Sequence, residues 1–340
     1  MQTNYVAISK RTRNSCIIKA PAKVCHLVGR PFAHKKARDC VNVVVIGAGA
    51  VGMLTASFLS EVGIQVTVVV RRQEQAHELN DRGLTRFNLN GTKSKTKVGA
   101  VTSLGAFPHT DLAIITVKYG QLKKVYKELA ALPKNIPLLF MQNGLAHYEE
   151  ALRLQHETIA FSSITFGAQV KNNTTVLHRG LGMCQLAIAR GDSTVFMKLE
   201  QMVHKDFPIT ITQNAEKMLF EKAVFNSLIN PLTAILQMKN GELVTNKRAF
   251  LLVQTIYLEL IEAFPGLEAN VSFSDVVALC EKTATNTSSM LADRLNGRKS
   301  EIETIVGAIL KKAHQNGHTL PTLRTLYLQV LAIEESGEQN

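Results

Sequence analysis

Three polar side chains recur at a spacing of four residues within the otherwise apolar stretch 221–234. They are Lys222, Asn226 and Asn230, and at 100° per residue they would share an arc of roughly 80° on one face of a helix. The residues between them are apolar enough to bury the helix, and a buried amine or amide needs polar partners. Two interpretations follow: a polar network satisfied inside the core, or a site where these groups bind a ligand.

A glycine-rich turn follows the first apolar stretch of the chain and begins a predicted helix. This is the context of the dinucleotide-binding fingerprint, in which successive glycines make the tight turn, admit the pyrophosphate and let the helix pack on the strand. Amides at the helix N-terminus would then hold the phosphates. The alternative is a purely structural turn. The residues predicted to bind the cofactor here are Gly47, Ala48, Gly49, Ala50, Val51 and Gly52.

The end of the next predicted strand distinguishes NADP from NAD. An NAD site would carry Asp or Glu about twenty residues beyond the glycine turn, to accept hydrogen bonds from the ribose hydroxyls. This strand ends instead in Arg71 and Arg72, and cations at this point suit the 2′-phosphate of NADP. Arg71 is the expected contact, and a solvent-exposed basic strand end is the alternative.

Two later turns carry polar groups at the ends of predicted strands. Lys118 follows the apolar stretch 112–117, and Asn143 with Gly144 follows 138–141. Open α/β sheets bind ligands at the carboxyl ends of their strands, so both turns are predicted to lie beside the nicotinamide ribose. An ordinary surface lysine and a simple turn are the alternatives.

Small hydroxyl side chains and an acid occur together further along the chain. Thr287, Ser288 and Ser289 precede an apolar turn, and Glu301 follows soon after. Hydroxyl groups of this kind could cap a helix, and Glu301 could favour the first turn of another. Equally, hydroxyl donors suit a substrate with a carboxylate and a hydroxyl group, and an acid would keep an active-site lysine protonated.

The pattern of apolar residues divides the chain near residue 213. Strand-like segments alternate with helical patterns before that point, which predicts a parallel sheet with helices on its faces. Beyond it the periodicity is helical, with predicted breaks at Pro231, Pro265, Gly297 and Pro321. We therefore expect a Rossmann-type α/β domain over 41–213 and an all-α substrate and catalytic domain over 214–340. The predicted strands are 43–46, 66–70, 112–117, 138–141, 159–166 and 209–212.

Composition and charge indicate a soluble globular protein whose first 40 residues are strongly basic. Of 340 residues 46% are hydrophobic and 19% charged. The net charge is +12, yet residues 1–40 hold nine Lys or Arg against Asp39 alone. We expect this basic segment to be a disordered, non-catalytic extension, with a transit peptide or a wrongly assigned start as alternatives.

The same composition weighs against several other classes of protein. The chain has no Trp and few aromatic residues, which argues against a platform for nucleic acid bases. Its five cysteines show no metal-binding spacing, and the longest apolar run is interrupted by glycines. We expect a cytoplasmic protein without a bound metal, a nucleic-acid partner or a membrane span.

These motifs together resemble the ketopantoate reductases, also called 2-dehydropantoate 2-reductases. The resemblance runs in order from about residue 41 to residue 321, and its C-terminal motifs are much more specific than the glycine turn. The motifs are the glycine turn at 47–52, Val117-Lys118, Gln142-Asn143-Gly144, the stretch 222–234, Ser288-Ser289-Met290-Leu291 and the stretch 297–303. Ala292, Arg294 and residues 161–163 lie in variable places, which leaves the fine substrate specificity open.

The resemblance implies a role for each matching residue. Lys222 corresponds to the proton donor, and Glu301 to an acid near the cofactor with a part in catalysis. The implied substrate contacts are Asn143, Asn226, Asn230, Asn240, Asn286, Thr287, Ser288 and Ser289. Besides the glycine turn and Glu301, the implied cofactor contacts are Arg71, Lys118, Asn143 and Ala168.

The implied reaction is the NADPH-dependent reduction of 2-dehydropantoate to (R)-pantoate, a step in the synthesis of pantothenate, the precursor of coenzyme A. The implied substrate is thus a small 2-oxo acid, and the chain is expected to be a monomer or a homodimer. Two alternatives stay open: another NADP-dependent 2-oxo or 3-hydroxy acid dehydrogenase, and a non-catalytic NADP-sensing protein.

Overall fold

The computed structural model describes residues 41–105, 109–202 and 204–337. The predictions made for residues 1–40 therefore lie outside the described residues. Within the described ranges, no helix has the length and apolar character needed to cross a membrane.

The described residues form two β-sheets and a set of helices. In chain order the strands are β1 (Asn42–Ile46), β2 (Gln65–Val69), β3 (Leu84–Phe87), β4 (Lys93–Thr96), β5 (Gly99–Val101), β6 (Leu112–Ile115), β7 (Leu138–Phe140), β8 (Ile159–Ile164), β9 (Gly167–Asn172), β10 (Thr175–Gly180), β11 (Cys184–Arg190) and β12 (Ile209–Thr212). The helices are α1 (Ala50–Glu61), α2 (Gln73–Arg82), α3 (Tyr119–Ala130), α4 (His147–Leu152), α5 (Thr194–Met202), α6 (Ala215–Leu236), α7 (Glu242–Thr245), α8 (Lys247–Ala263), α9 (Phe273–Lys282), α10 (Ser289–Leu295), α11 (Ala308–Gln315) and α12 (Pro321–Gly337). A 3₁₀ turn at Leu267–Ala269 and a π-helical turn at Glu303–Gly307 complete the set.

The larger sheet has the strand order β12-β11-β8-β7-β6-β1-β2-β5. Its central strands are apolar on both faces, as expected for parallel strands covered by helices on either side. From β5 to β8 the order corresponds to the 3-2-1-4-5-6 arrangement of doubly wound dinucleotide-binding folds. The predicted Rossmann-type domain with a parallel-sheet core is confirmed. Two strands of this sheet, β5 and β11, were not predicted, and β11 pairs antiparallel to β8.

The smaller sheet, with the order β4-β3-β10-β9, was not predicted from the sequence. Its strands are largely polar, as in the segment Lys93–Thr96, whose residues are all exposed or only partly buried. Because no apolar run marks these strands, the hydrophobic pattern does not reveal them. The sheet packs against α1, the helix that begins at the glycine turn.

Helix α6 is longer than predicted, because Pro231 lies inside it. The predicted break at Pro231 is therefore wrong, whereas Pro265 follows α8, Gly297 follows α10 and Pro321 begins α12. A proline inside a helix costs about 3 kcal/mol, but every residue from 227 to 234 is buried. Packing on all sides outweighs the local preference of proline, so the helix continues.

The two ends of α6 are buried in different hydrophobic cores. Ala215, Met218 and Leu219 pack in the core beneath the larger sheet, whereas Ala223 and Val224 begin the stretch that packs among the C-terminal helices. The chain passes from sheet to helices between β12 and α6; the division into domains at residue 213 stays a prediction. Helix α6 thus connects the sheet to the helical bundle.

Arg86 joins α1 to the smaller sheet from a position that is only 1% exposed. Its guanidinium forms an ion pair with Glu61, donates to Ser57 Oγ at 3.1 Å and lies 3.6 Å from the centroid of the Phe58 ring. All three partners belong to α1, so Arg86 fixes the helix that begins at the glycine turn.

Replacing Arg86 is expected to destabilise the fold. In Arg86→Ala a side chain that is 1% exposed is removed together with its hydrogen bonds to α1. Glu61 is 29% exposed and can be rehydrated, so the expected cost is that of a hydrogen bond to a charged group, about 1.5–3 kcal/mol. Chemical denaturation of the purified variant measures this free energy of unfolding. Lys217→Ala, which removes an exposed pair with Glu221, is the control and should cost less than about 1 kcal/mol. Equal stabilities of the two variants would contradict the conclusion that Arg86 stabilises the packing of α1 against the smaller sheet.

Candidate functional site

Lys222 lies on α6 where the two hydrophobic cores meet. Its Nζ donates a hydrogen bond of 2.5 Å to the carbonyl oxygen of Ile164, the last residue of β8. Burial of the ammonium group lowers the pKa of Lys222 from 10.5 to about 8, against the opposing charge of Glu301. The lowered pKa makes the proton of this ammonium group easier to release than that of an ordinary lysine.

Asn226 and Asn230 follow Lys222 on the same face of α6, as predicted. Neither side chain forms a hydrogen bond to another described residue, although Asn230 is only 6% exposed. A polar network inside the core would pair these amides with protein groups. Their unpaired state favours the ligand-site interpretation over the polar-core one.

The carboxyl ends of four neighbouring strands bring the predicted site residues together. Strands β1, β6, β7 and β8 are adjacent and parallel, so the turns that follow them lie along one edge of the sheet. Gly47, Lys118 and Asn143 follow the first three strands, and Ile164, which accepts the hydrogen bond from Lys222, ends the fourth. Lys222 is thereby held at the same edge as the glycine turn.

The three glycines of the turn have different surroundings. Gly47 has φ +115°, in the left-handed region that favours glycine. A Cβ on Gly52 would lie 2.0 Å from the carbonyl oxygen of Gly47, whereas a Cβ on Gly49 would meet nothing within 4 Å. Gly47 and Gly52 are therefore required by the turn itself. Gly49 instead leaves open space at the N-terminus of α1, where a pyrophosphate would approach.

The two arginines after β2 differ in their partners. Arg72 donates to the side chain of Asn173, in the turn between β9 and β10. Arg71 is exposed and forms neither a hydrogen bond nor an ion pair with any residue that the structure describes. Arg71 is thus the arginine at the end of β2 whose guanidinium remains available to a ligand. Ala168, on β9, packs at the margin of the core that also includes Ala48.

Glu301, the acid predicted to lie near the cofactor, connects the helical bundle to the edge of the larger sheet. Asn143 Nδ2 donates to Glu301 Oε2 at 2.8 Å. Burial raises the pKa of the Glu301 carboxyl, while the hydrogen bond from Asn143 and the charges of Lys118 and Lys222 oppose this shift. Glu301 therefore bonds to the turn after β7, and its charge also raises the pKa of Lys222.

Asp293 was not singled out from the sequence, yet it joins the same edge. Its Oδ2 lies 3.3 Å from Lys118 Nζ, and its Oδ1 accepts a 2.8 Å hydrogen bond from Arg298 Nε. The sequence offered one indication that Asp293 belongs to the site: it lies one helical turn after Ser289 on α10. An acid at that spacing is equally common on a solvent-exposed face, so the sequence alone did not distinguish it.

The predicted hydroxyl segment divides into a structural and an exposed part. Ser288 is buried; its Oγ accepts a hydrogen bond from Leu291 N at 3.1 Å, and lies 2.7 Å from Thr233 Oγ1. The capping interpretation therefore describes Ser288. Asn286, Thr287 and Ser289 are exposed, and their side chains form no hydrogen bond within the described ranges.

Asn240 supports this segment from the loop after α6. Its Nδ2 donates to Thr283 Oγ1 at 2.9 Å, and its backbone N–H donates to the carbonyl oxygen of Asn286 at 3.2 Å. Its Oδ1 is buried without a hydrogen-bond partner. Among the residues described, no group of three or more His, Cys, Asp or Glu side chains is placed to hold a metal ion.

Comparison with known families matches most of the chain. A model of the family "Ketopantoate reductase PanE/ApbA" matches residues 43–191, and a model of its C-terminal part, "Ketopantoate reductase PanE/ApbA C terminal", matches residues 214–334. The chain is 36% identical over 298 residues to the 2-dehydropantoate 2-reductase of Listeria monocytogenes, covering 86% of this chain and 97% of that one. It is 34% identical over 299 residues to the Bacillus subtilis enzyme of the same name, covering 87% and 98%.

Solved structures of two differently named enzymes share the fold. A crystal structure of a probable 2-dehydropantoate 2-reductase from Bacillus subtilis superposes with a TM-score of 0.79 at 33% identity, covering 86% of this chain and 100% of that one. A ternary structure of D-mandelate dehydrogenase with NADH and anilino(oxo)acetate superposes with a TM-score of 0.77 at 25% identity, covering 88% and 100%. Since both family models and the curated relatives agree along the two halves of the chain, the chain belongs to the ketopantoate reductase family.

Proposed function

We propose that this protein is a 2-dehydropantoate 2-reductase that uses NADPH to reduce ketopantoate to pantoate. The observation that carries the proposal is the position of Lys222. Its amine, with a pKa lowered to about 8, is bonded to the sheet edge that also carries the glycine turn, and two unpaired amides follow it on the same helix face. An amine that can give a proton and two amides that can hold a 2-oxo acid suit this reaction.

The residues around the glycine turn fit a dinucleotide. The open space at Gly49 would admit the pyrophosphate, and the unpaired Arg71 would meet a 2′-phosphate. When bound, the nicotinamide supplies a hydride to the carbonyl carbon of the substrate. A nicotinamide cofactor suits the whole family, whereas the choice of NADPH over NADH depends on Arg71. We propose the NADPH form because no acid occupies the corresponding position.

The protein's own residues would carry the remaining steps. As the carbonyl carbon is reduced, negative charge develops on its oxygen, and the Lys222 ammonium would stabilise that charge and then donate its proton. Burial makes the proton easier to release, while Glu301 keeps the amine protonated at rest. Asn226 and Asn230 would donate to the oxygens of the substrate and orient it.

A second candidate is the reduction of another 2-oxo acid. The similarity to D-mandelate dehydrogenase favours testing it, because the fold alone does not determine the substrate. Following NADPH absorbance with ketopantoate, with other 2-oxo acids and without substrate separates these activities from a non-catalytic NADP-sensing protein. The cytoplasmic location and the monomeric or homodimeric state stay predictions.

Loss of the Lys222 amine should abolish turnover without affecting cofactor binding. We expect Lys222→Ala to lower kcat by about 10²–10⁴-fold, the usual contribution of a positioned general acid. NADPH fluorescence titration of the same variant should give an unchanged Kd. Lys217→Ala, on the exposed side of the same helix, is the control and should keep the full rate. A rate for Lys222→Ala near that of the unmodified protein would refute this role.

Arg71→Ala should weaken NADPH binding selectively. A hydrogen bond to a charged group contributes about 1.5–3 kcal/mol, so the Kd for NADPH should rise at least about ten-fold while the Kd for NADH changes little. Arg72→Ala is a matched control, because Arg72 is already bonded to Asn173. If both variants lost NADPH affinity equally, Arg71 would not be the specific contact.

The pH dependence of turnover should follow Lys222. Because the donor must be protonated, kcat should fall as the pH rises through its pKa of about 8. Glu301→Gln removes a charge that raises this pKa, so the alkaline limb of the profile should move to lower pH. Glu303→Gln, which removes a carboxylate bonded to Tyr327, should leave the limb in place. An unmoved limb in Glu301→Gln would exclude electrostatic coupling between Glu301 and Lys222.

A further inference from the structure

Gly144 and Thr304 form a close backbone contact between the sheet edge and the helical bundle. Gly144, directly after Asn143, has φ +83°. A Cβ at this position would lie 2.3 Å from the carbonyl oxygen of Thr304 and 2.6 Å from its carbonyl carbon. These atoms belong to the backbone and cannot rotate away as a flexible side chain would. Any residue larger than glycine would therefore push the two segments apart.

Thr304 is bonded on both sides of this contact. Its carbonyl oxygen accepts a hydrogen bond from Leu145 N at 2.9 Å. Its hydroxyl donates to the carbonyl oxygen of Glu301 at 3.0 Å, and the residue is only 3% exposed. Thr304 thus connects the turn after β7 directly to the backbone of Glu301.

The local helix geometry supports a functional reason for this connection. Thr304 lies in the π-helical turn Glu303–Gly307, and single π-turns occur frequently at functional sites. The side chains brought together are Asn143 and Glu301, which are 158 residues apart in the chain. Their 2.8 Å hydrogen bond requires the two backbones to keep a defined separation.

We propose that Gly144 and Thr304 are positioning residues, which hold the Asn143 amide on the Glu301 carboxylate and thereby fix Glu301 relative to Lys222. We call this contact the Gly144–Thr304 joint. The effect on turnover rests on the proposed function, whereas the effect on the titration of Lys222 does not. Neither residue is expected to touch the substrate or the cofactor.

Gly144→Ala tests the steric part of the joint, with Gly317→Ala as a matched control. Gly317 has φ +80°, so alanine suffers similar backbone strain there, but its Cβ would meet no atom within 4 Å. In Gly144→Ala the segments must separate, and a displacement of about 1 Å at a catalytic site can cost 10²-fold in rate. We expect kcat with ketopantoate and NADPH to fall at least about ten-fold in Gly144→Ala and less than about two-fold in Gly317→Ala.

The titration of Lys222 distinguishes positioning from a general loss of stability. With the protein labelled with [¹⁵N]lysine, the Nζ signal that disappears in Lys222→Ala reports this amine directly. If Glu301 moves away, its charge no longer supports the protonated amine, and the pKa of Lys222 should fall in Gly144→Ala, as we also expect in Glu301→Gln. Gly317→Ala should leave this pKa unchanged.

Thr304 variants test the hydroxyl and keep the test valid if Gly144→Ala fails to fold. Thr304→Val removes the hydroxyl at nearly constant volume and should lower both kcat and the pKa of Lys222, whereas Thr304→Ser should retain both. Thr255→Val, which removes a similar hydroxyl bond to a backbone carbonyl on the exposed side of α8, is the control. All variants are compared after thermal melting shows that they are folded.

Two outcomes separate the joint from the proposed function. If the unmodified protein does not reduce ketopantoate, the proposed function is wrong, and the NMR titration still decides the joint. If a folded Gly144→Ala variant keeps the Lys222 pKa of the unmodified protein, the joint is overturned. Where Gly144→Ala does not fold, the same pKa in Thr304→Val and Thr304→Ser overturns it.

Discussion

The hydrogen bond from the Lys222 ammonium to the carbonyl oxygen of Ile164 is the interaction on which the rest of the candidate site depends. It exists because α6 begins beneath the larger sheet and continues into the helical bundle. An amine at the junction of two hydrophobic cores loses most of its hydration, and a single backbone acceptor replaces only part of it. The result is a lysine whose pKa is lowered to about 8, fixed at the edge where the parallel strands end.

Burial and charge act on this amine in opposite directions, and burial prevails. Glu301 favours the protonated form of Lys222, yet its own carboxyl is also partly desolvated, which raises its pKa. The hydrogen bond from Asn143 offsets part of that shift. Asn143 bonds to Glu301, and the charge of Glu301 acts on Lys222. A small change in the separation of the backbones that carry Asn143 and Glu301 therefore alters the pKa of Lys222. This is the physical reason that the close contact of Gly144 with Thr304 matters.

Residues with strong local requirements could be predicted from the sequence. The glycine turn needs a positive φ at Gly47 and close packing at Gly52, and only glycine satisfies both. The apolar strands of the larger sheet carry their own pattern, because both of their faces are buried. The smaller sheet lacked such a pattern. Pro231 was misinterpreted as a helix break because its tolerance depends on the packing around α6.

The sequence by itself determined the class of chemistry: a glycine turn between a strand and a helix, two arginines after the next strand, and one amine with two amides on a helix face. Each follows from spacing of a few residues, which local backbone geometry converts into position. Only the tertiary structure decided which groups are already satisfied. Ser288 caps α10 and Arg72 is bonded to Asn173, whereas Arg71 and Asn226 have no partner among the residues described. Hydrogen-bond partners and desolvation depend on segments far apart in the chain, and no local pattern encodes them.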